Sequence, residues 1–257
     1  MSALAGAPPF ILLGAALPVA GFTALLLWIA RGWHERHRRL LVAFLWGVLV
    51  APALSAYAND LLLARAPVLT PVLLAPLVEE LAKAAVLGLL LLSSADDGIR
   101  TGLVCGALTG LGFSLTENVG YLTLAAIQDG PGGVWRAIWL RGIVGGAKHP
   151  VFTATTGAAF GRARAMPAGA ARTGLAIAGL GGAVLQHAVW NGVASRAITG
   201  VMCHAASAGG PCQGPDTVDL LVRIPPLILA CLAPGLLGLA VVARRAGRAA
   251  VAGLPSS

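Results

Sequence analysis

Charged residues are scarce in this chain of 257 residues, because they make up only 11% of it. A soluble domain carries about 25%. Hydrophobic residues make up 57%, and the mean hydropathy is +0.83. Several apolar runs exceed the ~20 residues that cross ~30 Å of hydrocarbon, so the composition excludes a soluble domain and predicts an integral membrane protein. The net charge of +8 comes mainly from arginines near the ends of these runs. Such arginines are a topology signal and not a nucleic-acid-binding patch, so no nucleic-acid partner is expected.

Several signatures of soluble enzymes are also missing from the sequence. The four cysteines form no metal-binding motif; Cys105 and Cys231 lie in apolar runs and are interpreted as packing residues. Cys203 and Cys212 share one loop, where they either form a disulfide or remain two thiols. The HExxH and GxSxG motifs, internal repeats and a soluble domain of useful size are absent. The chain is therefore predicted to be a single integral membrane domain, 1–257.

The apolar runs predict an all-α transmembrane bundle. The seven predicted spans are 8–30, 40–64, 68–92, 101–127, 138–160, 172–198 and 218–243. The first run lacks a basic segment before it and a cleavage site after it, so we interpret it as a retained helix. Arginines cluster after the first span, after the fifth span and in the tail. The positive-inside rule then predicts an outside N-terminus, an inside C-terminus and a multi-pass protein of the cell membrane, with the lipid bilayer as a partner.

Four consecutive spans, within about 68–198, carry polar groups that are costly in lipid. These groups are Glu79, Glu80 and Lys83, then Glu117 and Asn118, then Lys148, His149, Thr153 and Thr156, and finally Gln186, His187 and Asn191. Ionisable groups in a membrane face a bundle interior or a water cavity, and they mark function. Counted from the span ends at 1.5 Å per residue, each span has a carboxylate or imidazole about 15–17 Å below the outer surface. We therefore expect the polar groups of these four spans to meet.

Small residues repeat every four positions in these spans and continue into the polar positions. The stripes are Gly102–Gly106–Gly110–Ser114–Asn118, Gly145–His149–Thr153–Gly157–Gly161, Gly179–Ala183–His187–Asn191–Ser195 and Pro76–Glu80–Ala84–Gly88. Such stripes let helix backbones approach closely, so the polar groups are expected between helices. Tyr121, Gln186 and Thr156 are interpreted as interhelical contacts, and Lys148 as either a packing residue or a catalytic one.

Two histidines and two or three glutamates at one depth suit a catalytic site for zinc or a related divalent metal. The predicted metal ligands are Glu117, His149 and His187. A bound metal lowers the pKa of water toward ~7, and a further glutamate can act as general base. We expect Glu80 to activate the water and Glu79 to pair with Lys83, unless the two carboxylates exchange these roles. In a metal-free alternative, Glu and His activate the water and Asn191 holds the oxyanion.

Four short motifs follow one another along spans three to six. They are EExxK at Glu79–Lys83, FxxxEN at Phe113–Asn118, R(x7)HPxFT at Arg141–Thr153 and HxxWN at His187–Asn191. Together they resemble the PrsW family of intramembrane metalloproteases, which is distantly related to the CAAX prenyl endopeptidases. The resemblance implies cleavage of a membrane-bound regulatory protein such as an anti-sigma factor, with Lys83, Asn118 and Arg141 in supporting positions. Because the second motif of the CAAX enzymes ends in His where this chain has Glu117, prenylated substrates are not expected.

Two other classes of protein stay open as alternatives. A proton- or cation-coupled transporter also carries Glu, Lys and His at the membrane midplane, but it usually has two related halves. Here the polar groups occupy four consecutive spans without such symmetry. A non-catalytic membrane scaffold derived from a protease is expected to lose the Glu or His residues, which this chain keeps.

Overall fold

A computed structural model of the chain describes residues 8–31, 37–92 and 98–194. Within these ranges the backbone is almost entirely helical and contains no strand, in agreement with the predicted all-α class. The seventh predicted span, the basic tail, Cys203, Cys212 and Cys231 lie outside the described residues. The predicted number of spans and the predicted orientation therefore stay predictions.

The described ranges contain seven α-helices and four π-helical segments. The α-helices are α1 (Pro8–Ile29), α2 (His37–Leu45), α3 (Ala51–Leu63), α4 (Ala75–Leu92), α5 (Ile99–Ala137), α6 (Lys148–Arg164) and α7 (Ala170–Val189). The π-helical segments are Trp46–Val50, Thr70–Leu74, Ile138–Val144 and Trp190–Ala194. Such segments are frequent at functional sites. The last three adjoin or contain residues that the sequence motifs single out, since one leads into α4 and the others contain Arg141 and Asn191.

Among the described residues, four helical stretches are long and apolar enough to cross a membrane. They are Pro8–Ile29, His37–Leu63, Ile99–Arg164 and Ala170–Gly192. The third predicted span is also helical, from Thr70 to the end of α4, but it carries three charged residues. Ile99–Arg164 holds the fourth and fifth predicted spans, and Gly130 interrupts its helix with φ 62° and ψ −154°. This positive φ is one that glycine adopts without a steric penalty.

The fifth predicted span, 138–160, is not one continuous helix. A turn at residues 145–147 separates the π-helical segment Ile138–Val144 from α6. Gly145 and Gly146 allow the turn. A Cβ at Gly146, for example, would overlap the carbonyl oxygen of Gly142. Pro150 then falls in the first turn of α6, where a missing backbone N–H leaves no gap in the helix. The interruption brings His149 to the beginning of a helix instead of its middle.

Helices α5 and α6 pack together along two of the predicted stripes of small residues. A Cβ at any of three α5 glycines would overlap a carbonyl oxygen of α6: the pairs are Gly102 with Gly157, Gly106 with Thr153, and Gly110 with His149. The descending numbers on α6 mean that the two helices run antiparallel. Backbones approach this closely only where side chains are absent. The contact therefore fixes the position of the polar residues of α6 along the axis of α5.

The described helices bury polar groups and expose apolar ones. Glu80, Lys83 and His149 are fully buried, whereas Tyr57 of α3 and Leu17 of α1 are 72% and 67% exposed. Lys and Glu are almost never fully buried in a soluble protein unless they are paired. The arrangement is that of a bundle whose outer surface meets lipid and whose interior holds a polar site.

Candidate functional site

Glu80 of α4 is the centre of a buried hydrogen-bond network. Its Oε1 accepts a hydrogen bond from Lys83 Nζ at 2.8 Å and lies 3.1 Å from His187 Nδ1. Its Oε2 accepts a hydrogen bond from Thr153 Oγ1 at 3.1 Å. Both oxygens are thus occupied, and the side chain is fully buried. A carboxylate held by three partners from α4, α6 and α7 is fixed in position and connects these helices.

His187 of α7 directs its two ring nitrogens at two different carboxylates. Nδ1 lies 3.1 Å from Glu80 Oε1, and Nε2 lies 3.7 Å from Glu79 Oε2. When Nδ1 carries the hydrogen that Glu80 accepts, the lone pair of Nε2 faces Glu79. Histidines that bind metals are oriented by carboxylates in this manner.

Glu79 precedes Glu80 directly but has different surroundings. Its Oε1 accepts a long hydrogen bond of 3.5 Å from Asn59 Nδ2 on α3. Its Oε2 is buried and has no hydrogen-bond partner among the described residues, although Lys83 Nζ lies 3.7 Å away. Glu79 also lines a cavity of about 520 Å³ between α3 and α5. Glu79 therefore lines a cavity and has a carboxylate oxygen without a hydrogen-bond partner in the described ranges, whereas Glu80 has neither feature.

His149 of α6 lies between Lys83 and Glu117. The distance from its Nδ1 to Lys83 Nζ is 3.2 Å, and the distance from its Nε2 to Glu117 Oε2 is 2.7 Å. An ammonium group can only donate, so Nδ1 accepts and Nε2 carries the hydrogen that Glu117 accepts. The rings of His149 and His187 meet edge to face, with 4.9 Å between their centroids. The four predicted spans thus bring their polar groups together.

Glu117 of α5 is surrounded by positive charge. Arg141 donates a hydrogen bond to Glu117 Oε2, and Lys148 Nζ lies 3.5 Å from the same oxygen. The guanidinium of Arg141 stacks on the ring of Tyr121, 3.5 Å from its centroid. Glu117 and Tyr121 line the same cavity as Glu79. The two cations balance the Glu117 carboxylate at the edge of this cavity.

Three of the donor groups are close enough to hold one metal ion. Ligand atoms of Glu79, His149 and His187 all lie within 4.8 Å of one another. A tetrahedral zinc site with bonds of about 2.0–2.2 Å separates its ligand atoms by roughly 3.3–3.6 Å. The 3.7 Å between His187 Nε2 and Glu79 Oε2 is near this range. Because two imidazoles meet a carboxylate oxygen that has no hydrogen-bond partner in the described ranges, the residues fit zinc or a related divalent ion.

This group differs in one member from the ligand set that the sequence predicts, which contains Glu117. In the structure Glu117 contacts His149 and two cations, and Glu79 is the carboxylate near both histidines. Lys83 lies closer to Glu80 than to Glu79, at 2.8 Å against 3.7 Å. Asn118 is buried within α5.

Asn191, the predicted oxyanion residue, bonds elsewhere. Its Nδ2 donates a hydrogen bond of 3.1 Å to the backbone oxygen of Pro71. This bond joins the π-helical segment that follows α7 to the π-helical segment before α4. Asn191 therefore connects two helices that carry the site. Its role in catalysis stays a prediction.

Two polar residues of α3 that the motifs do not include also reach this region. Asn59 contacts Glu79, and Ser55 lines the cavity one helical turn away. The signal in the sequence is their spacing, because both interrupt the apolar span 40–64 on one helix face. Asn59 lies near the predicted end of that span, where a polar residue is ordinarily interpreted as a boundary.

Comparison with known proteins adds one finding to this geometry. Residues 35–209, more than half of the chain, match the family described as PrsW family intramembrane metalloprotease. No curated protein and no solved structure gives a match. The matched range contains α4 to α7 and every residue of the network described above.

Proposed function

Because the chain belongs to the PrsW family of intramembrane metalloproteases, we propose that it hydrolyses a peptide bond in a membrane-bound regulatory protein with water activated at Glu79. An anti-sigma factor is an example of the substrate class that the family resemblance implies. The observation that carries this mechanism is the Glu79 carboxylate, which is buried beside two histidines and borders a cavity.

In this mechanism Glu79 meets the reacting water and Glu80 positions His187. This is the exchange of roles between the two carboxylates that the sequence leaves open. Support comes from their partners: both Glu80 oxygens are hydrogen-bonded, and Glu79 Oε2 has no hydrogen-bond partner in the part of the chain that is described. A general base must reach the proton that it abstracts, and an oxygen bonded by neighbouring side chains is not free to do so.

His149 and His187 would hold the divalent metal, with zinc as the ion best suited to these donors, and Glu79 Oε2 would stay uncoordinated beside it to meet the water. When bound, the ion supplies an activated water near neutral pH and polarises the scissile carbonyl. Glu80 orients the His187 ring through Nδ1, and Glu117 contacts His149 through Nε2. Both ring nitrogens of His149 have a polar neighbour, so binding at His149 replaces one of those contacts.

Side chains near the cavity can accept the proton of the attacking water and stabilise the negative charge of the carbonyl oxygen. The proton of the attacking water passes to Glu79 and then to the leaving amine. Arg141 and Lys148 stabilise the negative charge that develops on the carbonyl oxygen. Support comes from their position beside Glu117 at the edge of the cavity, and from Arg141 Nε, which is buried without a hydrogen-bond partner in the described ranges.

Metal content and proteolysis, measured together on detergent-purified protein, test this function. We expect His187→Ala to lose both bound metal and cleavage. The substitution removes a metal ligand, and it leaves Glu79 and Glu80 without the imidazole that lies beside them. Glu79→Gln is expected to lose cleavage. Full cleavage by metal-free wild-type protein would exclude a metal from the mechanism and leave a mechanism in which Glu and His activate the water. Equal cleavage by wild type and Glu79→Gln would contradict the role of Glu79.

A further inference from the structure

The cavity beside Glu79 has a polar edge on α3. Ser55 and Asn59 line it one helical turn apart. Ser55 is only 3% exposed, and its Oγ has no hydrogen-bond partner anywhere in residues 8–31, 37–92 and 98–194. The same is true, within those ranges, of Asn59 Oδ1. Glu79, whose Oε2 also lacks a hydrogen-bond partner in the described chain, lines the same cavity, so three residues with an unpartnered buried polar atom surround it.

Buried polar atoms in native proteins almost always have a hydrogen-bond partner, so each exception calls for an explanation. A cluster of three exceptions around one cavity points to partners that arrive with a ligand. The remaining walls of the cavity include Leu49, Pro52 and Leu124, which suit apolar side chains. The occupant is therefore apolar in its side chains and polar in its backbone.

A transmembrane segment that is about to be cut has this character. In an α-helix every N–H and C=O group of the segment is bonded within the helix, so water cannot reach a peptide bond until the helix unwinds. Unwinding exposes these backbone groups in surroundings that offer little water. A hydroxyl donor and an amide oxygen acceptor beside Glu79 would provide the hydrogen bonds that the helix gives up.

Building on the protease function proposed above, we propose that Ser55 and Asn59 form a binding edge for the unwound main chain of a transmembrane substrate. Ser55 Oγ donates a hydrogen bond to a substrate carbonyl, and Asn59 Oδ1 accepts one from a substrate N–H. Asn59 Nδ2 keeps its contact with Glu79 Oε1, so the edge brings the peptide bond to this carboxylate. The edge selects apolar segments that unwind easily at the cleavage site, such as segments with central glycines.

Kinetics with a designed peptide test the edge. The probe is a peptide of about 22 Leu and Ala residues with lysines at its ends and a central Gly–Gly pair, compared with the same peptide carrying Ala–Ala. We expect Ser55→Ala to raise KM for the Gly–Gly peptide about 3- to 10-fold with little change in kcat, which corresponds to the loss of one hydrogen bond. Its melting temperature is expected to stay the same, because Ser55 Oγ has no protein partner among the described residues.

Thr156→Val is the matched control. Thr156 Oγ1 is also buried without a hydrogen-bond partner in the described ranges, but Thr156 does not line the cavity. We expect this variant to leave KM and the melting temperature unchanged. An unchanged KM in Ser55→Ala, while wild type cleaves the peptide, would overturn the binding edge and leave the protease function intact.

Cross-linking provides a readout that does not depend on cleavage. Ala56 lines the cavity and Leu54 does not, although both lie on α3 and are exposed. A Gly–Gly peptide with a central bromoacetyl group is expected to label Ala56→Cys several-fold more than Leu54→Cys, with the unmodified chain as background. Equal labelling of the two variants would contradict substrate binding in this cavity, whether or not the peptide is cleaved.

Discussion

Two faces of α5 differ in how closely they pack. On the α6 side, glycines of α5 lie against backbone carbonyl groups of α6, and no room remains for a Cβ. On the α3 side, residues of α5 between Phe113 and Leu124 line a cavity of about 520 Å³. The tight contact holds His149 and Thr153 in place, whereas Glu79 and Glu117 line the cavity. One helix thus supports a rigid polar network on one face and access to it on the other.

The same contrast separates the two neighbouring carboxylates of α4. Glu80 belongs to the packed side, where Lys83, Thr153 and His187 hold it. Glu79 lines the cavity, and Asn59 of α3 donates a hydrogen bond to it. Substitutions of Glu79 alone and of Glu80 alone can therefore separate the catalytic role proposed for Glu79 from the positioning role proposed for Glu80.

Glu79→Gln is expected to have the largest effect on activity. The substitution keeps the shape of the side chain but removes the carboxylate that meets water, so kcat should fall by about 10²–10⁴. The measurement is the cleavage rate of a transmembrane peptide, with the melting temperature as a control for folding. A kcat within threefold of wild type would refute the assignment of Glu79.

Lys83→Met is expected to have the largest effect on stability. Lys83 is fully buried, pairs with Glu80 and contacts His149, so its loss leaves a buried carboxylate without its charge partner. Breaking a buried ion pair in this way costs about 3–5 kcal/mol. Thermal unfolding in detergent should show the loss, and adding Glu80→Gln to Lys83→Met should restore part of it. Failure of the double variant to recover would mean that Lys83 stabilises the fold through other contacts.

Gly106→Ala tests the tight face of α5. A Cβ at Gly106 would overlap the carbonyl oxygen of Thr153, and overpacking of this kind costs about 1–3 kcal/mol. The matched control is Gly181→Ala on α7, where a Cβ meets nothing within 4 Å in the described structure. We expect thermal unfolding to shift downward for Gly106→Ala and to stay or rise for Gly181→Ala. Equal shifts would argue against a close contact between α5 and α6.

Glu80→Gln is expected to lower activity less than Glu79→Gln does. It keeps an oxygen for His187 Nδ1 but loses the charge that orients the ring. Loss of such a supporting carboxylate typically costs 10- to 100-fold in metal affinity or activity. Cleavage rates beside metal content should therefore place this variant between wild type and Glu79→Gln. A larger loss than that of Glu79→Gln would reverse the roles assigned to the two carboxylates.

Much of this arrangement is predictable from the sequence, because membrane helices have few ways to accommodate charge. Polar residues in an apolar run must face other helices. The positions of Glu80, His149 and His187 therefore follow from composition and spacing. The glycine stripes likewise predict which helices approach closely, and α5 and α6 meet along them.

The role of each residue is harder to predict from spacing. The stripe through Glu80 indicates that Glu80 faces inward, and it is indeed the more buried carboxylate. The inward position is the hydrogen-bonded one, however, and the cavity that Glu79 lines lies toward α3. The turn at 145–147 is missed because glycines are common within membrane helices and give no signal of a break on their own.

The central claim is that Glu79 activates water for the hydrolysis of a peptide bond within a transmembrane segment. The most direct test reconstitutes wild type and Glu79→Gln in liposomes with the Gly–Gly peptide and identifies the products by mass spectrometry. We expect wild type to cut within the apolar segment and Glu79→Gln to leave the peptide intact. Cleavage at the same bond and the same rate by both proteins would contradict the claim.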